Sequence, residues 1–187
     1  MKLRFPAGNR PVAIIGGGVA DRAEEEAAHA VAHGLAEAGL AIICGGRGGV
    51  MAAACEGAAA AGGLSLAMLP TLDPGAANPH ATVVLTTDLG TRDTARAEGR
   101  GDHSRNRVIA SSAACVVAIG GRTGTANEIK LALQFGTAVF ALCGAPGPEA
   151  PNDLAPDVVR DLFKRLPTAE AAIEAVLSRV ENGPRGK

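Results

Sequence analysis

Short apolar runs alternate with amphipathic stretches along most of the chain. The apolar runs lack the alternation of apolar and polar residues that marks a strand with one exposed face, which is typical of strands buried on both faces. In chain order they are PVAII, LAIIC, LSLAML, ATVVL, ACVVAI and TAVFALC. Between them lie stretches with apolar residues at helical spacing, of which DRAEEEAAHAVAHGLAEAG is the clearest. This alternation predicts an α/β fold with one doubly wound, Rossmann-like parallel sheet and helices on both faces.

Helix boundaries can be read at several positions. Asp21 and Glu24 have the spacing of a capping box, and Gly39 follows the last apolar position of the first helix. Gly62 with Gly63 ends the second helix, and Thr168 is placed to cap the last one. These signals support the predicted order of elements.

The length of 187 residues fits a single domain, 1–187. The alternation of strands and helices makes it a Rossmann-like domain, of the kind that binds nucleotides. We divide it into a short N-terminal segment (1–10), a polar loop (91–103), a proline-rich connection (145–155) and a C-terminal helical region (156–187). The polar loop is either a solvated connection or a mobile segment that carries binding residues.

Composition disfavours nucleic acid and membrane partners. The formal net charge is −1, the pI is near 6.4, and the chain contains neither Trp nor Tyr. A nearly neutral chain with few aromatic side chains has little positive charge to attract a phosphate backbone and few rings to stack on bases. The apolar runs are too short to span a bilayer, so we expect a cytoplasmic protein.

Cysteine and histidine spacing predicts no metal site. Cys44, Cys55, Cys115 and Cys143 show no C-x-x-C pattern, and we interpret them as buried, inert thiols. His29 and His33 are four residues apart on a predicted helix, but no third ligand accompanies them, so a solvated helix face is favoured.

Glycine-rich turns follow three of the predicted strands. Because parallel strands end at the same edge of the sheet, these turns converge on one crevice, where backbone N–H groups at a helix N-terminus suit a phosphate. The turns contain Gly16 and Gly17; Gly45, Gly46, Arg47, Gly48 and Gly49; and Gly120, Gly121, Arg122, Thr123, Gly124 and Thr125. The first turn lacks the third glycine of a dinucleotide-binding fingerprint, and no Walker A loop is present, so a redox cofactor such as NAD is disfavoured.

Three segments in fixed order resemble a known superfamily. They are CGGRGGVMAAACEGAAAAGG, SRNRVIASSAACVVAIGG and GTANEIKLAL. Together they are similar to the superfamily that joins the LONELY GUY phosphoribohydrolases with the molybdenum-cofactor carrier proteins, over about Val12 to Leu142. Within it, GGRGGVM and RNRVI look closer to the small bacterial proteins allied to the carrier branch.

The resemblance implies roles for particular residues. An arginine and a glutamate needed by the hydrolases correspond to Arg105 and Glu128, with Asn106 beside the arginine in the ligand site. Arg105 would clamp phosphate or ribose and keep Glu128 ionised, while Glu128 would stabilise positive charge on ribose or activate water. The alternative is a purely structural role, in which Glu128 only pairs with Arg105 or with a backbone N–H at the helix end. The phosphate turn would comprise Gly121, Gly124 and Thr125. This chain departs from the motif by having Gly120 in place of a proline and Arg122 in place of a glycine.

Three functions follow as alternatives. The first is hydrolysis of a nucleoside 5′-monophosphate to free base and ribose 5-phosphate, with no required cofactor; we favour it here because both catalytic positions are filled. The second is a carrier that holds molybdenum cofactor (a molybdopterin) without turnover, and the third is a nucleotide sensor. The resemblance also implies a homodimer or a higher homo-oligomer, since family members assemble through helices beside the active site. The alanine-rich helix Met51–Ala61 fits either such an interface or packing on the sheet.

Overall fold

The structure, a computed structural model, describes residues 10–90, 104–121, 123–142 and 149–182. Its centre is a parallel sheet of seven strands in the order β4-β3-β2-β1-β5-β6-β7. The strands are β1 (Val12–Gly16), β2 (Ile42–Cys44), β3 (Ser65–Leu69), β4 (Val83–Thr86), β5 (Cys115–Ile119), β6 (Ala138–Leu142) and β7 (Phe163–Leu166). The predicted doubly wound α/β fold is confirmed.

Helices cover both faces of the sheet. They are α1 (Arg22–Glu37), α2 (Val50–Ala60), α3 (Arg105–Ser112), α4 (Thr123–Gln134), α5 (Pro156–Leu162) and α6 (Ala169–Asn182), with a short 3₁₀ turn at Pro74–Ala76. Alternate residues of β1 point into two separate cores: Val12 and Ile14 pack under α1, α2 and α6, while Ala13 and Ile15 pack under α3, α4 and α5. Burial on both faces explains why the strand is apolar at every position.

The predicted helix boundaries of α1 and α2 are confirmed. Glu24 N–H donates to Asp21 Oδ1 at 2.9 Å, and Asp21 N–H donates to Glu24 Oε2 at 3.1 Å, which completes the capping box. Gly39 and Gly62 follow the two helices with φ of 83° and 67°, a conformation that few other residues adopt without strain.

Strand order reverses beside β1. The chain moves outward from β1 through β2 and β3 to β4, and then returns to place β5 on the other side of β1. In such sheets the crevice outside the carboxyl ends of the two strands at the switch point is the usual ligand site. Here those strands are β1 and β5.

The C-terminal region contains a strand that we expected to be helical. β7 pairs in parallel with β6, with Val139 opposite Phe163 and Leu142 opposite Leu166. Lys164 and Arg165 are exposed, so the strand lacks the apolar run that marks the interior strands. An edge strand needs one hydrogen-bonded neighbour and one apolar face, and four residues give too little pattern for a prediction.

The alanine-rich helix α2 packs closely on α1. A Cβ atom on Gly57 would lie 2.2 Å from the carbonyl oxygen of His29, so the two backbones approach each other directly. Most residues of α2 are buried within the chain, which supports packing as the role of this helix. Among the described residues, no helix is long and apolar enough to cross a membrane.

Candidate functional site

The structure brings the first two glycine-rich turns together at the end of β1. Val50 N–H donates to Gly17 O at 3.1 Å, and a Cβ on Gly49 would lie 2.4 Å from the same oxygen. Gly48 also lies close to this turn, since its Cβ would be 3.1 Å from Gly18 O. Only glycine permits this approach at Gly49, where φ is 59°.

The end of β5 completes the floor of the crevice. A Cβ on Gly16 would lie 2.5 Å from Ile119 O and 2.6 Å from the side chain of Val50. The first turn therefore lies against the second turn and against the end of β5, the strand that leads into the third turn.

Asn78 holds the second turn in place, a role that no spacing pattern in the sequence indicates. Its backbone N–H and its Nδ2 both donate to Gly46 O, at 2.8 and 3.1 Å, and Nδ2 also lies 3.3 Å from Arg47 O. These bonds hold the backbone of Gly46 and Arg47 while the Arg47 residue itself remains exposed. The turn is thus held through its carbonyl groups.

Arg105 is buried and joins two strand ends. It begins α3 with 7% of its surface exposed, and its Nη1 donates to Gly45 O at 2.6 Å and to Met68 O at 2.5 Å. Nε donates to Asn106 Oδ1 at 3.2 Å, which orients the guanidinium. Burial lowers the pKa of Arg105, while Glu128 and Cys44 act in the opposite direction. Its observed contacts are with backbone oxygens and a neighbouring amide.

Glu128 lies in the second turn of α4 and is half-buried. Burial raises the pKa of its carboxyl group to about 7, and Arg105 opposes the shift without cancelling it. Arg105 favours the ionised form of Glu128, as expected, but desolvation of the carboxyl group has the larger effect on its pKa. Within the described part of the chain, no hydrogen bond joins the two side chains. A carboxyl group with this pKa changes charge near neutral pH.

The turn after β5 has a backbone that proline cannot adopt. Gly120 and Gly121 have φ of 51° and 91°, whereas a proline ring fixes φ near about −65°. A Cβ on Gly120 would lie 1.7 Å from Glu24 Oε1, and one on Gly121 would lie 2.0 Å from Thr125 Oγ1. The Glu24 carboxylate thus occupies the space where the motif proline would begin. This contact explains the departure at Gly120 and was not apparent from the sequence.

The N-terminus of α4 is open above Gly124. Thr123 and Gly124 are exposed, Thr125 is 3% exposed, and Arg122 lies outside the described residues. A Cβ on Gly124 would meet no atom within 4 Å. Packing within the described chain therefore gives no reason for glycine at this position, and the free space is where a ligand could approach the helix N–H groups.

Two buried polar atoms beside this crevice lack partners. Ser104 Oγ and Asn127 Oδ1 have no hydrogen bond among the described residues. Ser104 is 1% exposed and precedes Arg105 as the N-cap residue of α3, yet its side chain does not cap the helix. Such a group costs about 1–3 kcal/mol when left unpaired, so it usually has a function.

Comparison with known proteins identifies relatives of the whole domain. The model of the SLOG cluster4 family matches residues 9–174. A protein of Archaeoglobus fulgidus described as uncharacterised is 35% identical over 131 residues, which cover 70% of this chain and 78% of the relative.

Solved structures extend the likeness to proteins that handle molybdenum cofactor. The molybdenum cofactor binding protein of Rippkaea orientalis superposes with a TM-score of 0.75 at 25% identity, covering 95% of this chain and 98% of that one. The Moco carrier protein of Chlamydomonas reinhardtii superposes with a TM-score of 0.69 at 26% identity, covering 94% and 97%. The resemblance to the superfamily that contains the carrier proteins is confirmed.

Proposed function

Because the chain belongs to the SLOG cluster4 family, we propose that the crevice at the carboxyl ends of β1 and β5 binds a phosphorylated pterin of the molybdenum-cofactor type. The protein would act as a carrier or binding protein for this ligand. The observation that carries the proposal is the open N-terminus of α4, in a fold that matches a molybdenum cofactor binding protein over almost its full length. The alternative stated from the sequence thus becomes the preferred function.

The phosphate would lie at the first turn of α4. The N–H groups around Gly124 and Thr125 have no carbonyl partner earlier in the helix, and the helix dipole places partial positive charge there. The space above Gly124 allows the phosphate to approach closely. The exposed Arg47, close enough to Arg105 to lower the pKa of its guanidinium, adds a cation at the rim.

The pterin would use the neutral polar groups of the crevice. A pterin edge carries both hydrogen-bond donors and acceptors, and Ser104 Oγ and Asn127 Oδ1 are buried without partners in the described chain. A ligand that satisfies them would remove the cost of leaving them unpaired. Arg105 would act indirectly, since it holds the backbone of Gly45 in place.

Gly124→Ala tests the binding site without disturbing the fold. The added methyl group meets no atom within 4 Å, and alanine favours a helix over glycine by about 1 kcal/mol, so stability should be kept or rise. Calorimetric titration with a pterin phosphate should show binding to the natural chain and at least about tenfold weaker binding to the variant.

Gly62→Ala is the control away from the crevice, because Gly62 also faces open space but follows α2 at the opposite end of the sheet. The φ of 67° at Gly62 makes this variant less stable, so both variants are titrated under conditions where they are fully folded. The affinity of Gly62→Ala for the pterin phosphate should be unchanged. Equal affinity of the natural and Gly124→Ala chains would contradict the proposed phosphate position, and absence of binding to the natural chain would contradict the function.

Phosphoribohydrolase activity is the second candidate, and Glu128 favours it. A half-buried carboxyl group with a pKa of about 7 can exchange a proton near neutral pH or stabilise an oxocarbenium-like ribose. Incubation with purine and pyrimidine 5′-monophosphates should release free base if this activity is present, and Glu128→Gln should abolish the release. Pterin phosphate binding without base release supports the carrier.

A further inference from the structure

Two cysteine thiols lie side by side directly beneath the second glycine-rich turn. Cys44 ends β2 and Cys55 lies in the middle of α2, and their Sγ atoms are 3.6 Å apart. Both residues are fully buried. The third described cysteine, Cys115, is buried in β5 and has no thiol partner among the described residues. The first two thiols therefore differ from ordinary core cysteines in having each other as neighbours.

The environment of the pair favours ionisation of one member. Asn78 Nδ2 lies 3.5 Å from Cys55 Sγ, and Gly46 N–H donates to Cys44 Sγ at 3.4 Å. Hydrogen bonds from Cys44 and then from Asn78 and Ser65 lower the pKa of Cys55, whereas the pKa of Cys44 is raised because it supplies the proton to Cys55. Burial raises the pKa of the isolated Cys115 to about 12. The thiolate is the form that reacts with oxidants.

We propose that Cys44 and Cys55 form an intrachain disulfide when the protein reacts with hydrogen peroxide, and that this bond weakens ligand binding in the crevice above them. Formation of the disulfide is independent of the proposed function. Its effect on ligand binding rests on the proposed function, since it concerns the affinity of the same site.

The reaction balances with one peroxide molecule. The Cys55 thiolate attacks one peroxide oxygen, the O–O bond breaks, and the released hydroxide takes the proton of Cys44 to give water and a sulfenic acid on Cys55. The Cys44 thiolate then attacks the Cys55 sulfur, and the leaving hydroxide is protonated to a second water. Two thiols are oxidised to one disulfide, and peroxide is reduced to two waters.

Closing the disulfide would displace the turn that carries Arg47 at the rim of the crevice. A disulfide requires an S–S distance of about 2.05 Å, so the two sulfurs must approach by about 1.5 Å from their present separation. Gly45 and Gly46 directly follow Cys44, and their carbonyl groups are held by Arg105 and Asn78. A shift of β2 relative to α2 would strain these bonds and displace the turn.

Mass spectrometry tests the disulfide without any ligand. A Cys143→Ala chain treated with hydrogen peroxide should lose two hydrogens and yield one peptide pair linked through Cys44 and Cys55, with full reversal by dithiothreitol. Cys115 should remain alkylatable after unfolding and acts as the internal control. Cys44→Ser should instead carry a trappable sulfenic acid on Cys55. Independent oxidation of the two thiols to sulfinic acids, or no reaction of either, would overturn the proposal.

Calorimetric titration with a pterin phosphate tests the effect on the crevice. The oxidised chain should bind at least about tenfold more weakly than the reduced chain, and dithiothreitol should restore the affinity. A Cys44→Ser, Cys55→Ser chain should bind equally well before and after peroxide. A disulfide that forms without changing the affinity overturns the proposed effect on ligand binding. Failure of the reduced chain to bind the pterin phosphate refutes the proposed function but does not affect the proposal that the disulfide forms.

Discussion

Glu128 should make the protein less stable as pH rises. Its pKa is raised from 4.5 to about 7 in the folded chain because burial disfavours the charged carboxylate. Between these values the folded state holds a proton that the unfolded state has already lost, so raising the pH costs stability. The loss of stability begins at about pH 4.5 and is complete once the pH is well above about 7.

The magnitude follows from the size of the shift. A rise from 4.5 to about 7 corresponds to about 3 kcal/mol of unfolding free energy. The Glu128 residue is half-buried, and solvent that reaches the carboxylate reduces this figure, so we expect about 1–3 kcal/mol. For a domain of this length each kcal/mol corresponds to about 2–4 °C in Tm.

Glu128→Gln removes the titration while keeping the shape of the side chain. Urea unfolding should show the variant about 1–3 kcal/mol more stable than the natural chain at about pH 9, with little difference at about pH 4.5. Using the difference between the two chains cancels the groups that titrate in both. Glu174→Gln, at an exposed position of α6, is the control for the substitution itself. A Glu128→Gln difference that does not change with pH would refute the burial argument.

Three further substitutions test the packing around the crevice by urea unfolding. Gly120→Ala should cost more than about 2 kcal/mol, because its Cβ meets a carboxylate oxygen at 1.7 Å and φ is 51°; adding Glu24→Ala should recover part of the loss. Gly57→Ala should cost about 2–4 kcal/mol because its Cβ would lie 2.2 Å from the backbone of α1, whereas Gly62→Ala should cost only about 1 kcal/mol. Arg105→Met should cost about 2–4 kcal/mol since it leaves two strand-end carbonyl oxygens unpaired, and loss of less than about 1 kcal/mol would show that water replaces the guanidinium.

The fold could be predicted from the sequence because its signals are local and repeated. Strands buried on both faces must be apolar at every position, and the capping box of α1 needs only Asp21 and Glu24 at the right spacing. β7 lacked such signals, since an edge strand of four residues tolerates the charged Lys164 and Arg165. Its pairing depends on β6, which lies more than twenty positions earlier in the chain.

The candidate site could be predicted in position but not in detail. Glycines at strand ends indicate where the crevice lies, because all parallel strands end at one edge. The contact of Glu24 with Gly120 and the proximity of Cys44 to Cys55 depend on how α1 and α2 pack on the sheet. Such contacts between distant residues leave no spacing pattern in a single sequence.

Arg105 occupies a motif position, but its contacts are those of a structural residue. Carried over from the hydrolases, this residue is expected to contact phosphate or ribose, yet its Nη1 is bonded to Gly45 O and Met68 O and its Nε to Asn106. A guanidinium held in this way stabilises the carboxyl ends of β2 and β3 whether or not the site performs chemistry. A carrier and a hydrolase on this fold would therefore both retain the arginine. The discriminating residue is Glu128, because turnover by a hydrolase would depend on its carboxyl group, whereas phosphate binding at the first turn of α4 would not. Glu128→Gln therefore separates binding from turnover.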